Sequence, residues 1–121
     1  MSRKYKFRDP AGMFFVSFAT VYWLDVFVRE EYCVAFTESL EYCQLNQNMK
    51  LHAWCLMPSH VHLIFRADDE NPGDLLRNLK RHTSKTIQRL IAENPQESRK
   101  EWLLWMMERA GKKNSNTKGS Q

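Results

Sequence analysis

The stretch Met57-Pro58-Ser59-His60-Val61-His62-Leu63-Ile64 decides how the rest of the chain is read. Successive side chains of a strand point to opposite faces. On a strand beginning at His60, the two histidines therefore share one face, about 7 Å apart along the chain, while Val61 and Leu63 turn to the other face and a core. Residues 50 to 57, Lys-Leu-His-Ala-Trp-Cys-Leu-Met, form a second strand candidate just before. The short Pro58-Ser59 link makes this strand and the one at 60 to 66 hairpin neighbours.

Upstream, residues 13 to 20 are aromatic and β-branched at strand length and read as a buried strand. Residues 21 to 28 stay apolar but are interrupted by Asp25, so a short strand and an irregular connection are both open. From 30 to about 47, Tyr32, Ala35, Phe36, Leu40 and Cys43 recur at helical steps, and Asn46-Gln47-Asn48 marks the end. Downstream, Asn71 or Asp74 can cap a helix from about 73 to 92 whose stripe is Leu75, Leu76, Leu79, Thr83, Ile87 and Leu90. A last helix is expected from 96 to 110, carrying Trp102, Leu103, Trp105 and Met106. The order strand, helix, strand, strand, helix, helix predicts an α+β sandwich of the ferredoxin-like split βαβ type, an antiparallel sheet with helices on one face. We expect a single domain over 1–121: a basic arm at 1–12, a folded core at 13–110, and a flexible polar tail at 111–121, which has no apolar side chain to bury.

The bulk numbers set limits. The 121 residues are 43% hydrophobic and 26% charged, ordinary for a globular domain with a core of its own. No apolar run reaches the length of a membrane span, and no signal peptide is recognisable, so a cytoplasmic protein is expected. Cys33, Cys43 and Cys55 are odd in number and form no Cys-x-x-Cys, which argues against a disulfide framework or a thiolate zinc site. The net charge of +4 and pI near 9.1 fit a nucleic-acid partner without requiring one. The placement of charge says more. Arg77, Arg81, Lys85 and Arg89 recur every four residues with Lys80 beside them, rising about 6 Å per step, a row able to follow phosphates along a strand. A solvated helix face has the same pattern. The arm Arg3, Lys4, Lys6, Arg8 and the tail Lys112, Lys113, Lys118 are weaker candidates.

Two imidazoles on one strand face can reach one divalent cation. By itself this spacing describes an unbound pair equally well. The surroundings are more specific. Trp54-Cys55-Leu56-Met57-Pro58-Ser59-His60-Val61-His62-Leu63-Ile64 closely resembles the signature of the histidine–hydrophobic–histidine single-strand transposases, especially the REP-associated tyrosine transposase group. Phe14 to Asp25 resembles the first strand of that family and the segment after it, and Leu79-Lys80-Arg81-His82-Thr83-Ser84-Lys85 resembles its following helix, commonly Phe-Lys-x-x-Thr-Ser-Lys. The resemblance extends over about residues 5 to 118.

The resemblance implies a protein of DNA transposition that acts on single-stranded or hairpin DNA as a homodimer. It implies that His60 and His62 hold a divalent metal, Mg or Mn. It also implies a nucleophilic tyrosine, on a helix after the histidine pair, that joins covalently to DNA. Tyr5, Tyr22, Tyr32 and Tyr42 all precede His60, no tyrosine follows His62, and each of the four reads as a buried or half-buried ring. The nucleophile therefore cannot be carried over, nor can the third metal ligand. A chain ending before the nucleophile helix is expected to bind DNA without cleaving it efficiently. His82 could reach the site or face water, and His52 reads as structural. A zinc metallohydrolase on the same pair would need a third ligand and a general base, and no Asp or Glu stands at a characteristic offset.

Overall fold

The computed structural model describes residues 12–68 and 71–119. The elements are β1 (Phe14–Ala19), two single 3-10 turns (Val21–Trp23 and Val26–Val28), α1 (Glu30–Asn46), β2 (Met49–Leu56), β3 (His60–Ala67), α2 (Pro72–Glu93) and α3 (Lys100–Gly119). The sheet order is β1-β3-β2, and both pairings are antiparallel. β1 and β2, joined through α1, are thus split by β3, as expected for the split βαβ arrangement.

One sheet face carries the core. Val16, Val61, Leu63, Phe65, Ala67 and Met49 pack there against Phe36, Leu40 and Cys43 of α1 and Leu75, Leu76 and Leu79 of α2. A second cluster, Leu24, Val26, Tyr32, Ala35, Ile87, Ile91 and Leu103, ties the 3-10 segment and α3 to the helix pair. The α2 start follows its capping chemistry: the Asn71 side-chain oxygen accepts from the Asp74 N–H at 3.1 Å, with Pro72 at the first turn. The α1–β2 turn passes through Asn48 at φ 57°, a conformation asparagine tolerates better than most residues.

Two expectations are corrected and one open alternative is decided. β1 is an edge strand buried on one face only, because α1 and α2 lie on the same side of the sheet and leave Phe15 and Ser17 exposed on the other. Of the two readings open for residues 21 to 28, the structure takes the irregular connection: they form turns, since Tyr22 and Trp23 both have positive φ, 52° and 56°, which ends the extended run. The last helix begins at Lys100 and not 96, because Glu97 is drawn into the core, and it continues past 110 to Gly119 where a flexible tail was expected. A single Gly111 costs a helix only about 1 kcal/mol relative to alanine. The Lys112–Glu108 pair, 3.2 Å, spans that position. The arm residues Arg3, Lys4, Lys6 and Arg8, and Tyr5, lie outside the described residues.

Candidate metal and nucleic-acid site

Alternation along β3 sends Val61, Leu63 and Phe65 into the core and His60, His62, Ile64 and Arg66 to the opposite face. The register places Ala19 beside His60, and Ser17 and Cys55 on either side of His62. A register shift between Leu51 and Ala53 leaves exposed His52 at an irregularity of β2, away from the paired histidines.

The hairpin turn fixes where β3 begins. The Met57 N–H donates to the His60 carbonyl at 2.8 Å, which closes Pro58-Ser59 into a two-residue loop. The loop carbonyls accept from the segment after β1: the Thr20 N–H to Ser59 at 2.9 Å and the Phe27 N–H to Pro58 at 3.0 Å. The Thr20 hydroxyl bridges back to the Leu24 carbonyl at 2.6 Å. These bonds bring Trp23 edge-on to His60, with ring centroids 4.2 Å apart. On the other side Phe15 stacks on His62 at 6.1 Å.

The His60 and His62 rings lie nearly parallel, 6° between planes, with centroids 6.5 Å apart. The Nδ1 atom of His62 is buried with no hydrogen-bond partner, whereas that of His60 lies 3.3 Å from the Ser59 hydroxyl. A polar nitrogen in that state is costly unless something bonds to it. Two imidazoles on one face, one of them with an unpartnered nitrogen, have the donor chemistry of part of a metal site. Among the described residues no group of three or more His, Cys, Asp or Glu is arranged to complete it.

The basic row stands elsewhere. Arg77, Arg81, Lys85 and Arg89 are all exposed on the side of α2 turned away from the core, so the sheet lies between them and the histidines. Arg77 pairs with Asp74 at 2.6 Å and Arg89 with Glu93 at 3.4 Å, both within the helix. Arg89 also lines a groove of about 410 Å³ between α1 and α2, whose wall includes Glu30, Glu31 and Glu38. Arg81 and Lys85 are left as the least encumbered cations of the row. Lys80 departs from it: its ammonium lies over the Phe18 ring, 4.8 Å from the centroid, and burial lowers its pKa to about 8.

His82 does not approach the pair. Its Nδ1 lies 2.9 Å from the Ser39 hydroxyl, and its ring stacks on Tyr42, which places it between α1 and α2. Tyr32 is fully buried, but Tyr22 and Tyr42 are close to half exposed. Trp102 and Trp105 face outward while Leu103 takes the buried position of α3. The cysteines are free: Cys43 is buried, which raises its pKa to about 11, and Cys55 is exposed. The residues that escaped the sequence reading are Phe15 and Trp23. For Phe15 a signal existed, since Ser17 two positions on marks that face of β1 as polar.

A family model described as transposase IS200-like matches residues 16–108. The chain belongs to the IS200-like transposase family. A crystal structure of a protein from Deinococcus radiodurans R1, described as a candidate transposase, has the same fold. It aligns over 77% of this chain and 69% of that one, with a TM-score of 0.59 and 20% identity. At that identity the likeness concerns the fold alone. No curated protein is matched at a significant level. The match of this transposase-family chain includes both histidines, the 3-10 segment and the whole of α2. Among the described residues no helix is long and apolar enough to cross a membrane.

Proposed function

We propose that this chain is a DNA-binding protein of transposition whose bare sheet face receives a single strand or the unpaired part of a hairpin. The observation that carries this reading is the parallel pair His60 and His62, on a face that no helix among the described residues covers, in a chain of the IS200-like family. His60 and His62 would hold a divalent cation, Mg or Mn, whose Lewis acidity polarises a phosphate oxygen. The Ser59 hydroxyl, 3.3 Å from His60 Nδ1, would steady the His60 ring.

In the family a tyrosine conserves the broken phosphodiester as a protein–DNA bond. No tyrosine follows His62 in this sequence. Tyr32 is buried under Glu97 and cannot meet a strand. The residues of this sequence would bind DNA without themselves supplying a nucleophile at the family's position, and would act as a homodimer. Arg77, Arg81, Lys85 and Arg89 serve as phosphate contacts for DNA that runs beyond the sheet, Arg81 and Lys85 foremost, while Lys80, over the Phe18 ring, stands apart from them. Contact with both surfaces requires the DNA to pass round a sheet edge.

The test is binding of a labelled hairpin with a single-stranded flank, measured by anisotropy with and without Mn, followed by denaturing electrophoresis. Metal is expected to strengthen binding for the native chain and not for His60→Ala, and no denaturation-resistant adduct is expected. Equal metal enhancement in both proteins would remove the metal reading, and a robust adduct would remove the non-cleaving one.

A further inference from the structure

We propose that Phe15 and Trp23 are stacking platforms for unpaired bases on either side of the phosphate that lies over His60 and His62. This deepens the function proposed above and rests on it, since it names the two residues that would set a single strand in register with the histidines.

The first observation is a line of four rings. Trp23 meets His60 at 4.2 Å, His60 faces His62 at 6.5 Å, and His62 faces Phe15 at 6.1 Å. The two ends of this line are 65% and 68% exposed, so each presents ring surface to an incoming group. Every base has a π-face, and stacking on aromatic side chains is a general way of holding single strands without reading sequence.

The second observation is the backbone that carries Trp23. Tyr22 and Trp23 are consecutive aromatic residues at φ 52° and 56°, a region that bulky side chains rarely enter. Such a conformation persists only where its surroundings enforce it. Here the two bonds to the Pro58-Ser59 carbonyls and the Thr20–Leu24 bridge do so from the side of the hairpin. The ion pair from Arg99 to Asp25, 2.5 Å, holds the far end. None of these contacts buries Trp23. They hold an exposed indole against a histidine, as a ligand platform requires and a packing residue does not.

The third observation is charge. The three strands carry Lys50 and Arg66, cross-strand partners on the same face as the histidines, and no Asp or Glu; Arg66 also pairs with Asp68 just beyond β3, at 3.3 Å. The acidic side chains Glu30, Glu31 and Glu38 line the groove on the opposite layer. A polyanion is therefore favoured over the bare sheet and disfavoured over that groove. Rings for bases and cations for phosphates on one surface point to an unpaired strand, since a duplex keeps its base faces stacked inside.

The test compares three probes by fluorescence anisotropy: a short oligo-dT, an abasic strand of equal length, and the corresponding duplex. The proteins are the native chain, Phe15→Leu and Trp23→Gly. The native chain should prefer oligo-dT to both other probes. Each variant should lose about five- to a hundredfold for oligo-dT and nothing for the abasic strand. Trp23→Gly should also melt no lower than the native chain, because glycine occupies positive φ without strain; a purely structural tryptophan would lower the melting temperature instead. Native affinity for oligo-dT in both variants, or equal losses on the abasic strand, overturns the platforms. If the native chain binds none of the probes, the function underneath fails as well, which separates the two failures. Phe15→Leu keeps the question open to refutation if Trp23→Gly does not fold.

Discussion

Replacing Glu97 with alanine should destabilise the protein by roughly 3 kcal/mol. Its carboxylate is completely buried. It accepts from Arg29 Nε at 2.9 Å, from the Tyr32 hydroxyl at 3.0 Å and from the Arg99 N–H at 3.2 Å. Removal strands these donors unequally. The Arg29 side chain is 32% exposed and can turn to water, so its loss is modest, whereas the Arg99 donor is a backbone N–H that stays where the chain holds it. Tyr32 is wholly buried, and an unsatisfied buried hydroxyl costs about 1–3 kcal/mol. At about 2.1 cal/mol/K of unfolding entropy per residue, the total corresponds to roughly 12 °C in melting temperature. Glu97→Gln should cost about half as much, because the amide oxygen can still accept from Tyr32 or Arg29. The pH dependence follows from the same contacts. Burial alone would raise the Glu97 pKa, but the Arg99 N–H, the Tyr32 hydroxyl and Arg29 outweigh it and hold the carboxyl below its ordinary value. In the acid range the unfolded chain then binds more protons than the folded one. The contribution is complete above the ordinary glutamate pKa and is lost as pH falls through the lower folded value. Urea denaturation followed by circular dichroism from neutral to acid pH measures both effects. The reasoning fails if Glu97→Ala costs less than about 1 kcal/mol, or if its acid limb is as steep as that of the native chain.

Thr83→Val should be neutral or stabilise by about 1 kcal/mol, since the buried Thr83 hydroxyl has no hydrogen-bond partner and valine has nearly its shape; a loss of stability in thermal melts would mean that the hydroxyl is satisfied in solution. Arg81→Ala combined with Lys85→Ala should leave oligo-dT affinity unchanged, because these cations stand behind the sheet. The same double variant should flatten the salt dependence for a hairpin with a long stem by about 0.9 in log–log slope for each duplex phosphate that is no longer neutralised. Equal weakening on both probes in titrations at several salt concentrations would place the row and the histidines on one continuous track.

Much of the fold was legible because its signals are local. The His60-to-Phe65 alternation, the Pro58-Ser59 link and the α2 stripe each follow from residue spacing and burial. The order of these elements then leaves few ways to build a sheet. The site was half legible for the same reason: His60 and His62 must share a face if β3 is a strand. The rest depended on information that spacing does not hold. Whether β1 is covered on one side or two depends on where both helices lie, and hydrophobicity alone does not separate Phe15 from Phe14 and Val16; only Ser17, two positions on, marks its face as polar. Glu97 belongs, by its charge, to a solvated turn; only Arg29 and Tyr32, far away in sequence, draw it inside and delay the start of α3. The basic row and the histidine pair both suit a polyanion with its metal, yet helix period alone turns the row away from the face that holds the histidines.

That separation bears on how the molecule divides its work. The helix side of the sheet holds nearly all the large buried side chains, so stability comes from one face and the other is free to be unfavourable in isolation. The bare face gathers an orphaned imidazole nitrogen, two exposed rings and two strained backbone positions. Each costs folding free energy, and features of this kind cluster where a ligand will relieve them. The 3-10 segment between β1 and α1 joins the two sides. Leu24 and Val26 enter the second core while Trp23 stands out over His60, and Asp25 between them is tied through Arg99 to Glu97. The buried carboxylate is therefore more than a stability element. It braces, from the core side, the segment whose exposed residue frames the histidine pair. Loosening that brace in Glu97→Gln should weaken oligo-dT binding at a temperature where the variant is still folded, although Glu97 itself stands too deep to touch DNA.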